Sequence, residues 1–208
     1  MTTFLPELPS AATVRQSNYL SIPLPSPYAE LLGKLPRQVQ FSMMIYGEPG
    51  SGKSSLSLKI ANVLAKATNK YVLYNANEEP LESGSINLRL NMLNINDTRI
   101  KILDARDFDI LQMHLRTGKY KFCVIDSLNN FEGVSDMDVL NLMQEFPNVS
   151  FIFLSMVDKQ NKAKATKTFE HLVFAVYFTE NSKTGEAIVR LKKSRYGATL
   201  REMNIFEA

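Results

Sequence analysis

The stretch "GEPGSGKSS", Gly47 to Ser55, constrains this chain more than any other. Its first eight residues fit G-x-x-x-x-G-K-[ST], a spacing in which glycines let the backbone turn tightly enough for successive N–H groups to face an anion. An apolar run, "FSMMIY" (41–46), precedes it; residues 53–67 follow with apolar side chains at 56, 60, 61, 63, 64 and 67, one face of a helix. The helix N-terminus adds unpaired amides and a positive dipole end to the loop. Gly47, Glu48, Pro49, Gly50, Ser51, Gly52, Lys53, Ser54 and Ser55 are therefore the expected cradle for a nucleoside triphosphate. Lys53 would neutralise β- and γ-phosphate oxygens, and the Ser54 hydroxyl would ligate Mg²⁺.

The rest of the chain alternates. "YVLYN" (71–75), "RIKIL" (99–103), "KFCVID" (121–126) and "VSFIFLS" (149–155) read as strands, with helices expected over 83–93, 107–117 and 135–145. That rhythm predicts an α/β fold, a mostly parallel twisted sheet with helices on both faces. After residue 168 "LVFAVYFTE", "AIVRLKK" and "TLREMNIFE" are strand-like, and "NSKTGE" has hairpin-turn composition, so antiparallel strands are expected at the C-terminal side. Residues 1–36 hold six of the nine prolines and read as an extended or irregular arm; 37–208 read as the core.

Two further elements bear on the chemistry. "FCVIDS" is an apolar strand ending in Asp126, placed to hold Mg²⁺ through water beside the glycine loop. "YVLYNANEEP" ends in Glu78 and Glu79; parallel strand ends converge on one crevice, so one of the pair can position a water for in-line attack on the γ-phosphate. Alternatively the pair is a solvated acidic start to a helix. His114 and His171 are too far apart in sequence to argue for a metal, and Cys123 reads as core packing.

Composition narrows the class. With 208 residues, 45% of them hydrophobic, the chain can bury one substantial core. A net charge of +3 permits an acidic partner without demanding one, and a single cysteine excludes an internal disulfide framework. No segment approaches the ~18 apolar residues of a membrane span. A cytoplasmic protein without a membrane partner is expected.

Taken in order, these elements, together with "FEHLV" (169–173) and "KSRYG" (193–197), resemble the RecA-type ATPase core, and within it the bacterial RadA (Sms) family. The likeness runs over roughly residues 28 to 207. It implies an oligomeric, DNA-stimulated ATPase of recombination, repair or replication, working as strand exchanger, branch migrator or helicase-like motor. It favours Glu78 over Glu79 as the water-positioning residue. It places Lys193 and Arg195 on cationic positions that reach the nucleotide of an adjacent subunit in a ring or filament. It also makes the lysine stretch after residue 158 (Lys159, Lys162, Lys164, Lys167) a loop contacting single-stranded DNA, with Ser155 or Asp158 sensing the γ-phosphate. Without aromatic residues in that stretch, backbone contact without strong sequence preference is expected. Ser194 replaces the family's asparagine, and with a single cysteine in these 208 residues the expectation is a minimal form without the family's four-cysteine zinc module and Lon-protease-like domain. A small-molecule kinase ranks lower because the chain has no arginine-rich lid. The alternative from another class is an ATP-dependent scaffold or switch that binds protein partners and no nucleic acid.

Overall fold

A computed structural model of the chain describes residues 8–16, 19–157 and 167–207. In chain order the elements are α1 (Ala11–Gln16), α2 (Tyr28–Leu32), β1 (Ser42–Gly47), α3 (Lys53–Thr68), β2 (Tyr71–Ala76), α4 (Ser85–Met92), β3 (Ile100–Leu103), α5 (Phe108–Arg116), β4 (Tyr120–Asp126), α6 (Asp136–Glu145), β5 (Ser150–Met156), α7 (Lys167–Leu172), β6 (Ala175–Asn181), β7 (Ala187–Ser194) and β8 (Glu202–Asn204). The strands form one sheet in the order β3-β2-β4-β5-β1-β6-β7-β8. β3 through β6 in that order run parallel, while β7 and β8 add on antiparallel.

Strand parity divides the core into two layers. On β4, Phe122 and Val124 face the side covered by α3, and Cys123 and Ile125 face α5 and α6; on β5, Ile152 and Leu154 take the first side, Phe151 and Phe153 the second. Strands buried on both faces are apolar at every position, which is why they read as runs and not as alternation. The α3 stripe of Leu56, Ile60, Ala61 and Leu64 is fully buried. α6 begins with a reciprocal Ser135–Asp138 capping box, and Asp107 caps α5.

Two expectations need correction. The proline-rich arm is not apart from the core from residue 22 onward: Ile22, Tyr28, Leu31, Leu32 and Leu35 are buried in the cluster that contains α3. Backbone bonds fix it there, from Thr199 and Leu200 N–H to the Glu30 carbonyl and from Lys34 N–H to the Tyr196 carbonyl. The same bonds shorten the last strand. Residues 196–200 satisfy α2 in place of β7, so the strand expected over 199–207 is reduced to Glu202–Asn204. Among the described residues, no helix is long and apolar enough to cross a membrane.

Leu31→Ala is expected to destabilise the chain by about 2–5 kcal/mol in urea unfolding. Leu20→Ala, at a site 53% exposed, should stay within roughly 0.5 kcal/mol of the parent. Equal effects would mean that α2 does not share the core.

Candidate nucleotide site

The crevice forms where parallel strands end side by side. Gly47 closes β1 in register with Thr179 of β6 and Met156 of β5. A Cβ at Gly47 would collide with the Thr179 carbonyl and hydroxyl and with the Ser51 hydroxyl, so glycine is required by close approach. Gly50 and Gly52 take φ of 77° and 88°, the left-handed region. The Ser51 hydroxyl lies 2.7 Å from that of Thr179, pinning the loop to β6. α3 starts at Lys53 without a side-chain cap, leaving its first amides to the loop interior.

Lys53 is 7% exposed, and its Nζ donates to the carbonyls of Gly47 (3.0 Å) and Glu48 (2.8 Å). Burial lowers its pKa, against the opposing charges of Glu78, Asp126 and Glu48. Asp126, 3% exposed, ends β4; its Oδ2 accepts from the Tyr74 hydroxyl at 2.8 Å. Burial pushes this carboxyl above the usual carboxylate range, while hydrogen bonds from Ser54 and Tyr74, then Arg89 and Lys53, pull it back. Its Oδ1 has no partner.

That orphan is not isolated. Among the described residues, five buried side-chain polar atoms lack a partner, and three of them, Asp126 Oδ1, Ser127 Oγ and Asn77 Nδ2, belong to the ends of β4 and β2. Buried polar atoms are normally satisfied, so such a cluster marks where a polar ligand belongs. Ser127 N–H donates to Asn77 Oδ1 at 2.7 Å, locking the two strand ends together. Asp126 Oδ1 only accepts, and with the Ser54 hydroxyl, which bonds the same carboxyl, it makes the donor set a hard divalent cation takes, so Mg²⁺ fits here. The nine loop residues, Lys53 among them, and the free amides at the start of α3 fit a triphosphate.

Glu78 and Glu79 are exposed where β2 ends. With Asp126 and Arg89 they line a pocket of about 10 Å³, room for roughly one water. Partial enclosure of its carboxyl, then the Asp126 charge, raises the Glu78 pKa, opposed by Lys53 and then Arg89. Beyond Glu78 an open trough of about 840 Å³ runs between Arg106, Asp107, Asn130 and Glu132.

Lys193 and Arg195 are elsewhere. Lys193 pairs with Val176 and Arg195 N–H bonds the Phe174 carbonyl, level with Ser42, whose own carbonyl accepts from Phe174 N–H. Ser42 lies five positions before Gly47 on β1, roughly 16 Å at ~3.3 Å per residue. Arg195 is thus at the opposite end of the sheet from its own phosphate loop, and Lys193, level with Met44, sends its Nζ toward the same end. Lys193 Nζ donates to the carbonyls of Glu170 (2.8 Å) and Val173 (2.7 Å), closing the C-terminal end of α7; burial lowers its pKa. Arg195 is exposed, its guanidinium 5.4 Å from the centre of the Phe174 ring. Lys159, Lys162, Lys164 and Asp158 lie outside the described residues, and Lys167 opens α7. β5 ends beside Gly47, with Met156 in register with it. The Ser155 hydroxyl donates to Asn129 Oδ1 at 3.2 Å.

Sequence reading missed Tyr74, Asn77, Arg89, Ser127 and Thr179. Ser127 was within the quoted "FCVIDS", and Asn77 within "YVLYNANEEP"; polar residues interrupting an apolar strand end were the signal for both. Arg89 stands one turn after Ser85 on α4, a spacing that puts both on one helix face.

No protein-family profile matches the chain. Among curated proteins it is 26% identical over 178 residues to the DNA repair protein RadA of Helicobacter pylori (strain J99), covering 79% of this chain and 39% of that protein. It is 31% identical over 179 residues to the DNA repair protein RadA of Treponema pallidum (strain Nichols), covering 79% and 38%. The chain thus spans about two-fifths of the length of these relatives. Among solved structures, the flagellar accessory protein FlaH of Methanocaldococcus jannaschii superimposes with a TM-score of 0.67 at 13% identity, covering 89% of this chain and 93% of that one. The KaiC-like protein PH0186 of Pyrococcus horikoshii OT3 gives 0.60 at 15%, covering 86% and 89%. The fold is that of RecA-like P-loop ATPases.

Asp126→Asn is expected to raise the thermal midpoint of the ligand-free chain, by about 2–4 °C per ~1 kcal/mol of burial penalty removed. A carboxyl whose folded pKa is raised binds its proton more tightly when folded. The penalty is therefore complete above that pKa and vanishes as pH falls through it toward the unfolded value. Melts across pH should show the gap between variant and parent closing in acid. A variant less stable than the parent at neutral pH would contradict this.

Proposed function

We propose that this chain, a RecA-like ATPase core similar in sequence to RadA, hydrolyses ATP between neighbouring copies of itself and couples the reaction to binding single-stranded DNA. The observation that carries the reading is Asp126, a buried carboxylate with one oxygen unpartnered at the mouth of a phosphate loop. Its neighbours supply the remaining roles. Lys53 exchanges the carbonyls of Gly47 and Glu48 for phosphate oxygens, so the loop releases its own lysine to the substrate. Ser54 and Asp126 would hold Mg²⁺, which would supply charge neutralisation at the phosphates. Glu78 orients a water and takes its proton as the water oxygen bonds to the γ-phosphorus and the bond to the β–γ bridging oxygen breaks. Glu79 is the second candidate for this role.

Charge then accumulates on the leaving oxygen and the equatorial oxygens. The cations that meet it come from a second copy, because Arg195 and Lys193 sit at the wrong end of their own sheet. Exposed Arg195 is the better placed of the two, since Lys193 is engaged with the end of α7. Such association is head to tail and generates a ring or a filament. Lys159, Lys162, Lys164 and Lys167 contact DNA phosphates, each contact contributing roughly −0.7 to the salt slope on single strands. Repair, recombination or replication is the setting the RadA likeness suggests. The broad superposition on FlaH, a flagellar accessory protein, favours a second reading: an ATP-dependent scaffold that binds protein and no nucleic acid.

One set of assays at low salt separates these. Lys53→Ala is expected to abolish nucleotide binding, while Arg195→Ala keeps binding and loses turnover by on the order of 10³-fold. Single-stranded DNA should raise parent turnover, and Lys162→Glu with Lys164→Glu should remove that stimulation with basal turnover intact. Undiminished hydrolysis by Arg195→Ala would remove the shared site; turnover indifferent to DNA would favour the scaffold.

A further inference from the structure

Tyr74 is fully buried in the middle of β2, within the apolar layer under α3. Its hydroxyl nevertheless has a defined set of partners: Asp126 Oδ2 at 2.8 Å and Ser57 Oγ at 2.9 Å. Ser57 Oγ also lies 3.0 Å from the Ser54 carbonyl, one turn back on α3, and the Tyr74 oxygen lies 3.5 Å from that carbonyl. A phenol carries a single proton and an ionised carboxylate only accepts, so that proton belongs to Oδ2, and the Ser57 hydroxyl donates to the phenol oxygen. The arrangement braces both halves of the expected cation site from behind, Asp126 directly and Ser54 through Ser57. It also fixes which carboxylate oxygen is occupied by protein. Oδ2 is taken, and Oδ1 alone is left without a partner.

We propose that Tyr74 is a positioning residue for Mg²⁺: by holding Asp126 Oδ2 and, through Ser57, the Ser54 turn, it presents Asp126 Oδ1 and the Ser54 hydroxyl in fixed relation to the cation. Partners behind a metal ligand restrict its rotation, and their loss typically weakens metal affinity about 10–100-fold. This rests on the ATP and Mg²⁺ reading of the site and adds a residue that reading does not use.

Tyr74→Phe removes the hydroxyl and keeps the ring. A fluorescent ATP analogue, titrated onto the chain without Mg²⁺ and then with increasing Mg²⁺, reads binding apart from turnover. The Mg²⁺ concentration at half-effect is expected to rise about 10–100-fold in Tyr74→Phe, with Mg²⁺-free affinity unchanged. Tyr177 offers the control: it is equally buried, its hydroxyl donates to the Leu31 carbonyl at 3.2 Å far from the crevice, and Tyr177→Phe should leave the Mg²⁺ curve in place. Ser57→Ala, which leaves the core ring untouched, should shift the curve in the same direction by less, and it decides the matter if Tyr74→Phe fails to fold. An unmoved Mg²⁺ curve, or an equal loss with and without Mg²⁺, overturns the proposal while leaving the nucleotide reading intact. A parent chain that binds no nucleotide overturns both.

Discussion

The whole arrangement depends on two opposite charges, Lys53 and Asp126, taken out of water where parallel strands end. Burying an ion costs several kcal/mol even after relaxation, and mutual attraction repays this only when the remaining hydrogen-bonding positions are filled. Here they are filled in part. Lys53 borrows carbonyls from its own loop, and Asp126 has one oxygen held by Tyr74 and one free. The apo chain thus carries an electrostatic deficit at its mouth that a triphosphate with its cation would make good. Any ligand that binds only the folded form also adds to stability, by an amount that grows as the logarithm of one plus its concentration over its Kd. The fold around this point is built to tolerate the deficit: β1, β4 and β5 are apolar on both faces and flanked by helices on both sides.

The sheet gives the molecule two unlike ends. At one, the strand termini gather the loop, Asp126 and the Glu78–Glu79 pair. At the other, Arg195 lies over Phe174, whose ring stacks on Tyr196 at 5.6 Å, and Lys193 closes α7. A single molecule cannot bring the two together, because the antiparallel pairing of β6 with β7 carries the cations away from the loop. Two molecules in the same orientation can. In the proposed head-to-tail assembly the polarity of the sheet would become a polarity of assembly, and the exposed guanidinium would leave an aromatic face for a phosphate at modest cost.

Much of this was legible in the sequence, and for local reasons. The glycine spacing, the α3 stripe and the apolar run into Asp126 each depend on neighbours within one or two turns of chain, so pattern suffices to read them. What escaped reading depends on partners far away. Tyr74 looks like one more apolar residue of "YVLYN" until its hydroxyl is seen against Asp126, 52 positions on. Asn77 acquires meaning only against Ser127, 50 positions on. The arm was misjudged for the same reason: prolines forbid regular structure between residues 23 and 27, yet they do not forbid the next turn, α2, from docking on residues 196–200. That docking also explains why the final strand is shorter than its β-rich composition suggests.

The most direct measurement is a cryo-electron reconstruction of the chain with Mg²⁺ and a non-hydrolysable ATP analogue. Expected is a head-to-tail assembly in which the analogue lies in the Gly47–Ser55 loop, the cation sits between the Ser54 hydroxyl and Asp126, and Arg195 of the partner subunit reaches the γ-phosphate. Single molecules holding the analogue, or an assembly in which Arg195 faces solvent or protein at every site, would contradict the account.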